Sequence, residues 1–174
     1  MFVDVLEIVK RANRIYDMCE TREPYKIAEQ LGIEVLTYPF KCQKGAYKVI
    51  MRNRFIFIKK DLSHIMENIV LLHEIGHDTL YRNEAVKAGG FKEFDIFAMQ
   101  DRKMEYEANI FVAQFSLPDD EFLEYCELGY TTQQIATAMH TDVNLVALKT
   151  DILISLGYRL RQQEHDRFFL RFDK

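Results

Sequence analysis

His73-Glu74-Ile75-Gly76-His77 reads H-E-x-x-H inside an apolar stretch with helical periodicity. Residues i and i+4 of an α-helix share one face about one turn apart, so both imidazoles can reach a single metal ion. Glu74 sits beside them on the rim of that face. There it can hydrogen-bond a water held by the metal without binding the metal itself. Two neutral nitrogens and a nearby carboxylate are the parts that zinc-assisted hydrolysis needs. Glu74 would take the proton of the attacking water and pass it to the leaving amine.

Catalytic zinc usually has three protein ligands and one position open to water, so the third ligand must come from a second element. A helix expected from Asp101 onward carries a buried stripe of Met104, Ala108, Phe111 and Phe115. Glu105 lies three residues before Ala108 and shares its side, whereas Glu107 points away and is expected to be an exposed surface charge. Asn109 lies four residues after Glu105, on that same side. Glu105 is therefore the expected third ligand. Asn109 is expected to accept a hydrogen bond from the free ring N–H of a ligand histidine. His64, His140 and His165 lack partners at metal spacing and are expected at the surface or at caps. Tyr47, Tyr81 and Tyr106 are expected to pack, with no oxyanion role assigned.

The elements that must position these residues follow from apolar spacing. Residues 3–19 fit an amphipathic helix through Val5, Ile8, Ala12, Ile15 and Cys19. A second fits 24–31, with Pro24 in its first turn and Gly32 as its stop. Ile33 to Tyr38, Ala46 to Met51 and Arg54 to Ile58 read as strands of a small antiparallel sheet. Arg52-Asn53 lies between the last two, and Asn53 is expected to supply the positive φ of the turn. Asp61 or Ser63 can cap the helix that carries the histidines. Ile65, Ile69, Leu72 and Gly76 run along it, and Gly76 lets a neighbour approach closely. After Tyr81 the pattern becomes irregular, with Gly89-Gly90 and with Phe91, Phe94 and Phe97 as pins. Pro118 ends the second motif helix, and Asp119 or Asp120 caps another that runs to about Leu128. Helical pieces follow at 132–139 and 143–156, with Gly157 at the end. Phe168 to Phe172 is apolar enough to dock on the core.

The chain of 174 residues is long enough for one domain with a substantial core and room for a small appended lobe. Apolar residues make up 48% with 13 Phe and 9 Tyr, which argues against disorder. A net charge of −4 argues against general nucleic-acid binding. Cys19, Cys42 and Cys126 form no C-x-x-C pair and are expected to be buried, reduced thiols. The N-terminus has acids where a secretion signal needs a basic start, and no stretch is long enough to span a bilayer. A cytoplasmic protein is expected.

The motif His73-Glu74-Ile75-Gly76-His77, then Glu105-Tyr106-Glu107-Ala108-Asn109-Ile110-Phe111-Val112-Ala113, then Ser116-Leu117-Pro118, resembles the ImmA/IrrE family of zinc metallo-endopeptidases. Ile27-Ala28-Glu29-Gln30-Leu31-Gly32-Ile33 is similar to that family's entry into its sheet. The resemblance spans about residues 20–160, while the loop 82–103 and the tail after 160 match nothing in it. It implies an α+β fold with a zincin-like, gluzincin-type core over 1–118 and a helical lobe over 119–174, the two forming one compact unit. It implies zinc held by His73, His77 and Glu105, with Glu74 as general base. Ser116-Leu117 stands where the family has a leucine pair, a departure that bears on packing and not on chemistry. The implied substrate is a phage- or mobile-element-type repressor carrying a DNA-binding domain. If the strand at 54–58 lies at an edge, an extended substrate would pair with it.

Two other classes of function fit parts of the chain. Residues 132–156 resemble a helix-turn-helix, which would make the protein a zinc-containing transcription regulator. Its second helix offers Lys149 as its only cation, among Asp142 and Asp151, so direct nucleic-acid binding is not expected. The other class is a non-catalytic module that sequesters a repressor. Glu74 counts against it, because pure binding has no chemical need for that carboxylate.

Overall fold

The computed structural model describes residues 3–87, 94–95 and 102–161. Helix α1 (Val5–Cys19) starts where Asp4 Oδ1 accepts the N–H of Glu7 at 3.1 Å. Its buried face carries Ile8, Val9, Ala12 and Cys19. Helix α2 (Pro24–Leu31) ends at Gly32, whose φ of 68° turns its N–H back onto the carbonyls of Ala28 and Glu29. The chain then enters strand β1 (Ile33–Tyr38) directly.

Strands β2 (Gly45–Ile50) and β3 (Asn53–Lys59) form a hairpin in which Ile50 faces Asn53. The turn is Met51-Arg52, with φ of 49° and 68°. A two-residue hairpin turn of this kind needs positive φ at both central residues, so Asn53 is not the turn residue expected of it; it opens β3 instead. The sheet is mixed, not antiparallel as expected. Its order is β1-β3-β2-β4, where β4 is the short Phe94–Asp95. β1 runs parallel to β3, with Ile33 opposite Arg54 and Tyr38 opposite Lys59. The loop 39–44 carries the chain over the end of β3, so β1 and β2 flank it. Side-chain alternation reports which face is buried and says nothing of strand direction, which is why the pairing could not be read from it. β3 is consequently central and offers no free edge.

Helix α3 (His64–Lys87) begins after Ser63, whose Oγ accepts the N–H of Met66 at 3.3 Å. It extends well past Tyr81, where an irregular segment was expected. Arg82-Asn83-Glu84-Ala85-Val86-Lys87 contains no Gly or Pro, and Arg82 pairs with Asp78 one turn back. Gly89-Gly90, Phe91 and Phe97 lie outside the described residues, as do His165 and Phe168–Phe172; Phe94 is described only as strand backbone.

Helix α4 (Arg102–Ser116) crosses α3 at Gly76. A Cβ there would stand 3.1 Å from Phe111 Cδ1 and 3.5 Å from Ala108 Cα, so the missing side chain lets the two backbones meet. Helix α5 (Asp119–Glu127) has Pro118 at its N-cap with no side-chain cap; neither Asp119 nor Asp120 fills that role. Asp119 turns instead to Lys149 and Gln114. Helix α6 (Thr132–Ala138) opens on a capping box between Thr131 and Gln134. Helix α7 (Val143–Ser155) packs on α4 and α6 and buries Leu145, Leu148 and Ile152, as the spacing predicts. Among the described residues no helix is long and apolar enough to cross a membrane. Cys19 is buried, but Cys42 is exposed and Cys126 half-buried, so the expectation of three buried thiols holds for Cys19 alone.

Candidate metal centre and active site

The Gly76–Ala108 crossing decides what faces the histidines. Glu105 lies one turn before Ala108 on α4, so it meets the α3 face that presents His73 and His77. His73 Nε2 and His77 Nε2 are 3.1 Å apart. Glu105 Oε2 lies 3.4 Å from His73 Nε2, and Oε1 lies 3.4 Å from His77 Nε2. Tetrahedral zinc with bonds of about 2.0–2.1 Å sets its ligand atoms about 3.3 Å apart. The two imidazole nitrogens and the two carboxylate oxygens thus lie at separations close to those between ligands of one ion. All three residues are buried. Two imidazole nitrogens and a carboxylate oxygen are a donor set that suits zinc.

The electrostatics agree with a cation site. Burial alone raises the Glu105 carboxyl, but hydrogen bonds and charge from His73 and His77 outweigh it and hold the group well below the usual carboxylate range. Burial pushes His77 down, against the pull of Glu105, and so favours the neutral imidazole that a metal requires.

Glu74 is 1% exposed and packs against the start of β2. A Cβ on Gly45 would fall 2.7 Å from Glu74 Oε1 and 2.6 Å from Val70 Cγ1. Only glycine lets the strand lie this close to α3, and the strand in turn limits where the Glu74 carboxylate can go. Asn109 is buried on α4 near Glu105. His73 Nδ1 makes no hydrogen bond among the described residues, so the expected bond from that ring to Asn109 is not formed here.

Glu107 departs from expectation. It is buried, accepts a hydrogen bond from the Tyr81 hydroxyl, and lies 3.6 Å from Lys103 Nζ. The facing helix α3 supplies the hydroxyl and α4 itself supplies Lys103. His64 is exposed, in keeping with a surface role. The Tyr47 hydroxyl donates to Asp78 at 2.7 Å and not toward the metal cluster. Burial, followed by the Asp78 charge and hydrogen bond, raises the Tyr47 phenol far above its ordinary value.

Sequence reasoning missed Asp78 itself. Its buried carboxylate also accepts from Arg54 Nη1 at 2.9 Å and Arg82 Nη2 at 2.8 Å. The group ties α3, immediately after His77, to β2 and β3. The available signal was Asp78-x-x-x-Arg82 in an otherwise apolar helix, which pointed to a pair but not to Tyr47 or Arg54.

The helix-turn-helix reading meets a direct obstacle. α7, which would have to enter a DNA groove, buries eight of its residues. Lys149 is 0% exposed, donates to Gln114 Oε1 at 2.6 Å and also bonds to Asp119. The one cation of that helix is thus spent inside the protein.

A mixed sheet laid on a helix, with two histidines from that helix and a glutamate from the next, makes a cluster that suits a metal ion. The chain belongs to the family described as Peptidase_M78, IrrE N-terminal-like domain, which it matches over residues 28–150. It is also 29% identical over 144 residues, 82% of this chain and 89% of the relative, to uncharacterized immunity region protein 2 of Bacillus phage phi105. The family points to a metallopeptidase, and the relative to phage immunity.

Proposed function

We propose that the protein is a zinc-dependent endopeptidase that cleaves a phage- or mobile-element-type repressor and so relieves repression. The observation that carries the reading is the His73–His77–Glu105 triangle beside a buried Glu74. A mixed sheet over an H-E-x-x-H helix, with a ligand glutamate on the following helix, supports a zincin-like, gluzincin-type core. The phage immunity relative supports the choice of substrate.

Bound zinc would supply Lewis acidity, making water nucleophilic near neutral pH and polarising the scissile carbonyl. His73, His77 and Glu105 would hold the ion. Glu74 accepts the proton released as water attacks and returns it to the leaving amine. Asn109 orients a ligand histidine through its ring N–H once the ion is seated. Burial of Glu74 against Gly45 keeps its carboxylate at one position and excludes competing water.

The substrate aligns on β2 and not on β3. In the two-residue hairpin, Ile50 and Asn53 are a hydrogen-bonded pair, so Gly45, Tyr47 and Val49 turn their backbone groups away from β3. Lys59 N bonding to Lys44 O at 2.8 Å fits the same alternation. Among the described residues β4 pairs with Lys48 and Val49, so Gly45, which lies against Glu74, and Tyr47 would receive a peptide backbone on that side. Proline placed at successive positions of the substrate is expected to block cleavage at alternate sites; equal cleavage of every variant would refute the pairing.

The test of function pairs the purified protein with the repressor encoded beside its gene. Wild type is expected to cut the repressor at one position, and Glu74→Gln to retain zinc while losing about 10²–10⁴ of the rate. Equal cleavage by Glu74→Gln would remove the assigned base. Undiminished relief of repression by that variant would instead favour sequestration without cleavage.

A further inference from the structure

A second cavity, of about 500 Å³, lies against the last turns of α3 and shares no lining residue with the metal cluster. Its polar lining comes from Arg11, Gln30, Arg54, Asp78, Arg82 and Asn83. Three guanidiniums thus face one carboxylate in its walls. Asp78 cannot satisfy them. It accepts from Tyr47 at 2.7 Å, Arg54 at 2.9 Å and Arg82 at 2.8 and 3.3 Å, which uses the four lone-pair positions of a carboxylate.

The remaining bonds of the arginines are few. Arg54 Nη2 also bonds to the Leu31 carbonyl. Arg11 Nε bonds to Glu7 at 2.9 Å, and its Nη1 stands 3.5 Å from the carbonyls of Thr79 and Leu80, at the outer limit of a hydrogen bond. A guanidinium has five N–H donors, so more than half of those on these three make no bond to the described residues. The Arg11–Glu7 pair is exposed on both sides and is worth little. Ile15 and Leu31 give the cavity an apolar floor for the body of a ligand.

We propose that this cavity binds a small oxyanion, a phosphate or carboxylate head on a compact organic body. Arg11 and Arg82 grip the head. Asp78 and Tyr47 hold Arg54 and Arg82 at fixed positions, which lowers the ordering cost of binding. The site is independent of the hydrolytic reading, because none of its residues takes part in metal binding or proton transfer.

The test is an NMR titration of the zinc-loaded protein that follows the arginine Nε–H resonances, with inorganic phosphate in one arm and succinate in the other. Saturable shifts at Arg11, Arg54 and Arg82 with a stoichiometry of one are expected. Tighter binding of phosphate marks a phosphorylated ligand, and tighter binding of succinate marks a carboxylate. Arg82→Ala and Arg11→Ala should each weaken binding roughly tenfold or more, the loss of one charge-assisted bond. Arg82→Lys should weaken it less than Arg82→Ala, and melting curves confirm that each variant folds. Shifts that rise without saturating in both arms, or saturable shifts unchanged by both alanine variants, would overturn the proposal.

Discussion

Gly45 and Glu74 compete for the same space, and that competition gives the site its sharpest residue-scale test. Alanine at 45 needs room that Glu74 Oε1 and Val70 Cγ1 occupy. The residues proposed to hold zinc come from α3 and α4 and are not among the atoms at this contact. Gly45→Ala is therefore expected to retain zinc but lose cleavage by roughly 10²-fold, the scale of an ångström's misplacement of a reacting group. Metal content and initial rates measured on one preparation check it; an undiminished rate would show that Glu74 is not held by the strand. His77→Ala and Glu105→Ala should behave oppositely and lose the metal first. The convergence of His73, His77 and Glu105 was legible from spacing, because i, i+4 on one helix and one stripe on another fix which side chains can meet. Glu107 was not legible, since its partner Tyr81 comes from the facing helix and the position of a residue on its own helix does not say which neighbour it meets.

Among the elements, the α3–α4 crossing is what brings Glu105 to the histidines. Gly76→Val would push the helices apart at Phe111 and Ala108. A destabilisation of about 1–3 kcal/mol from overpacking is expected in urea unfolding, together with weaker zinc retention as Glu105 withdraws. Retained zinc affinity in a destabilised Gly76→Val would mean that the crossing does not set the ligand spacing. Most helices and strands were readable within a residue or two, because amphipathic periods of 3.6 and 2 leave different marks, but the last six residues of α3 and the short β4 were not. Strand order was not. β1 lies beside β3 in parallel because a six-residue loop carries the chain past it, and no side chain in Ile33–Tyr38 encodes that choice. The expectation put β3 at an edge of the sheet, where the structure puts it at the centre.

At the scale of the whole molecule, a buried polar network joins the helices behind the site. Lys149 of α7 bonds to Gln114 of α4 and Asp119 of α5, and Gln114 bonds to Asn13 of α1 at 3.2 Å. Burial lowers the Lys149 ammonium, against the pull of Asp119. Between its folded value and the ordinary 10.5, the unfolded chain binds a proton that the folded chain has released. Stability from this group therefore rises with pH through that window. Lys149→Met should flatten the alkaline limb of the stability profile, as read by urea midpoints across pH; an unchanged limb would mean that Lys149 is not the group responsible. Removing the metal acts on the same whole. With zinc at about a thousand times its dissociation constant, chelation should cost ~4 kcal/mol and lower Tm by roughly 8–16 °C. A chelator that leaves Tm unchanged would show that the cluster contributes nothing to the fold.

The central claim is that one zinc ion sits on His73, His77 and Glu105 with a position left open. Zinc-edge X-ray absorption of the purified protein tests it most directly. The expected spectrum has two imidazole shells and light oxygen scatterers near 2.0–2.1 Å, with no sulfur. Its oxygen shell should change in Glu105→Gln. A sulfur shell near 2.3 Å, or a spectrum identical in Glu105→Gln, would contradict it.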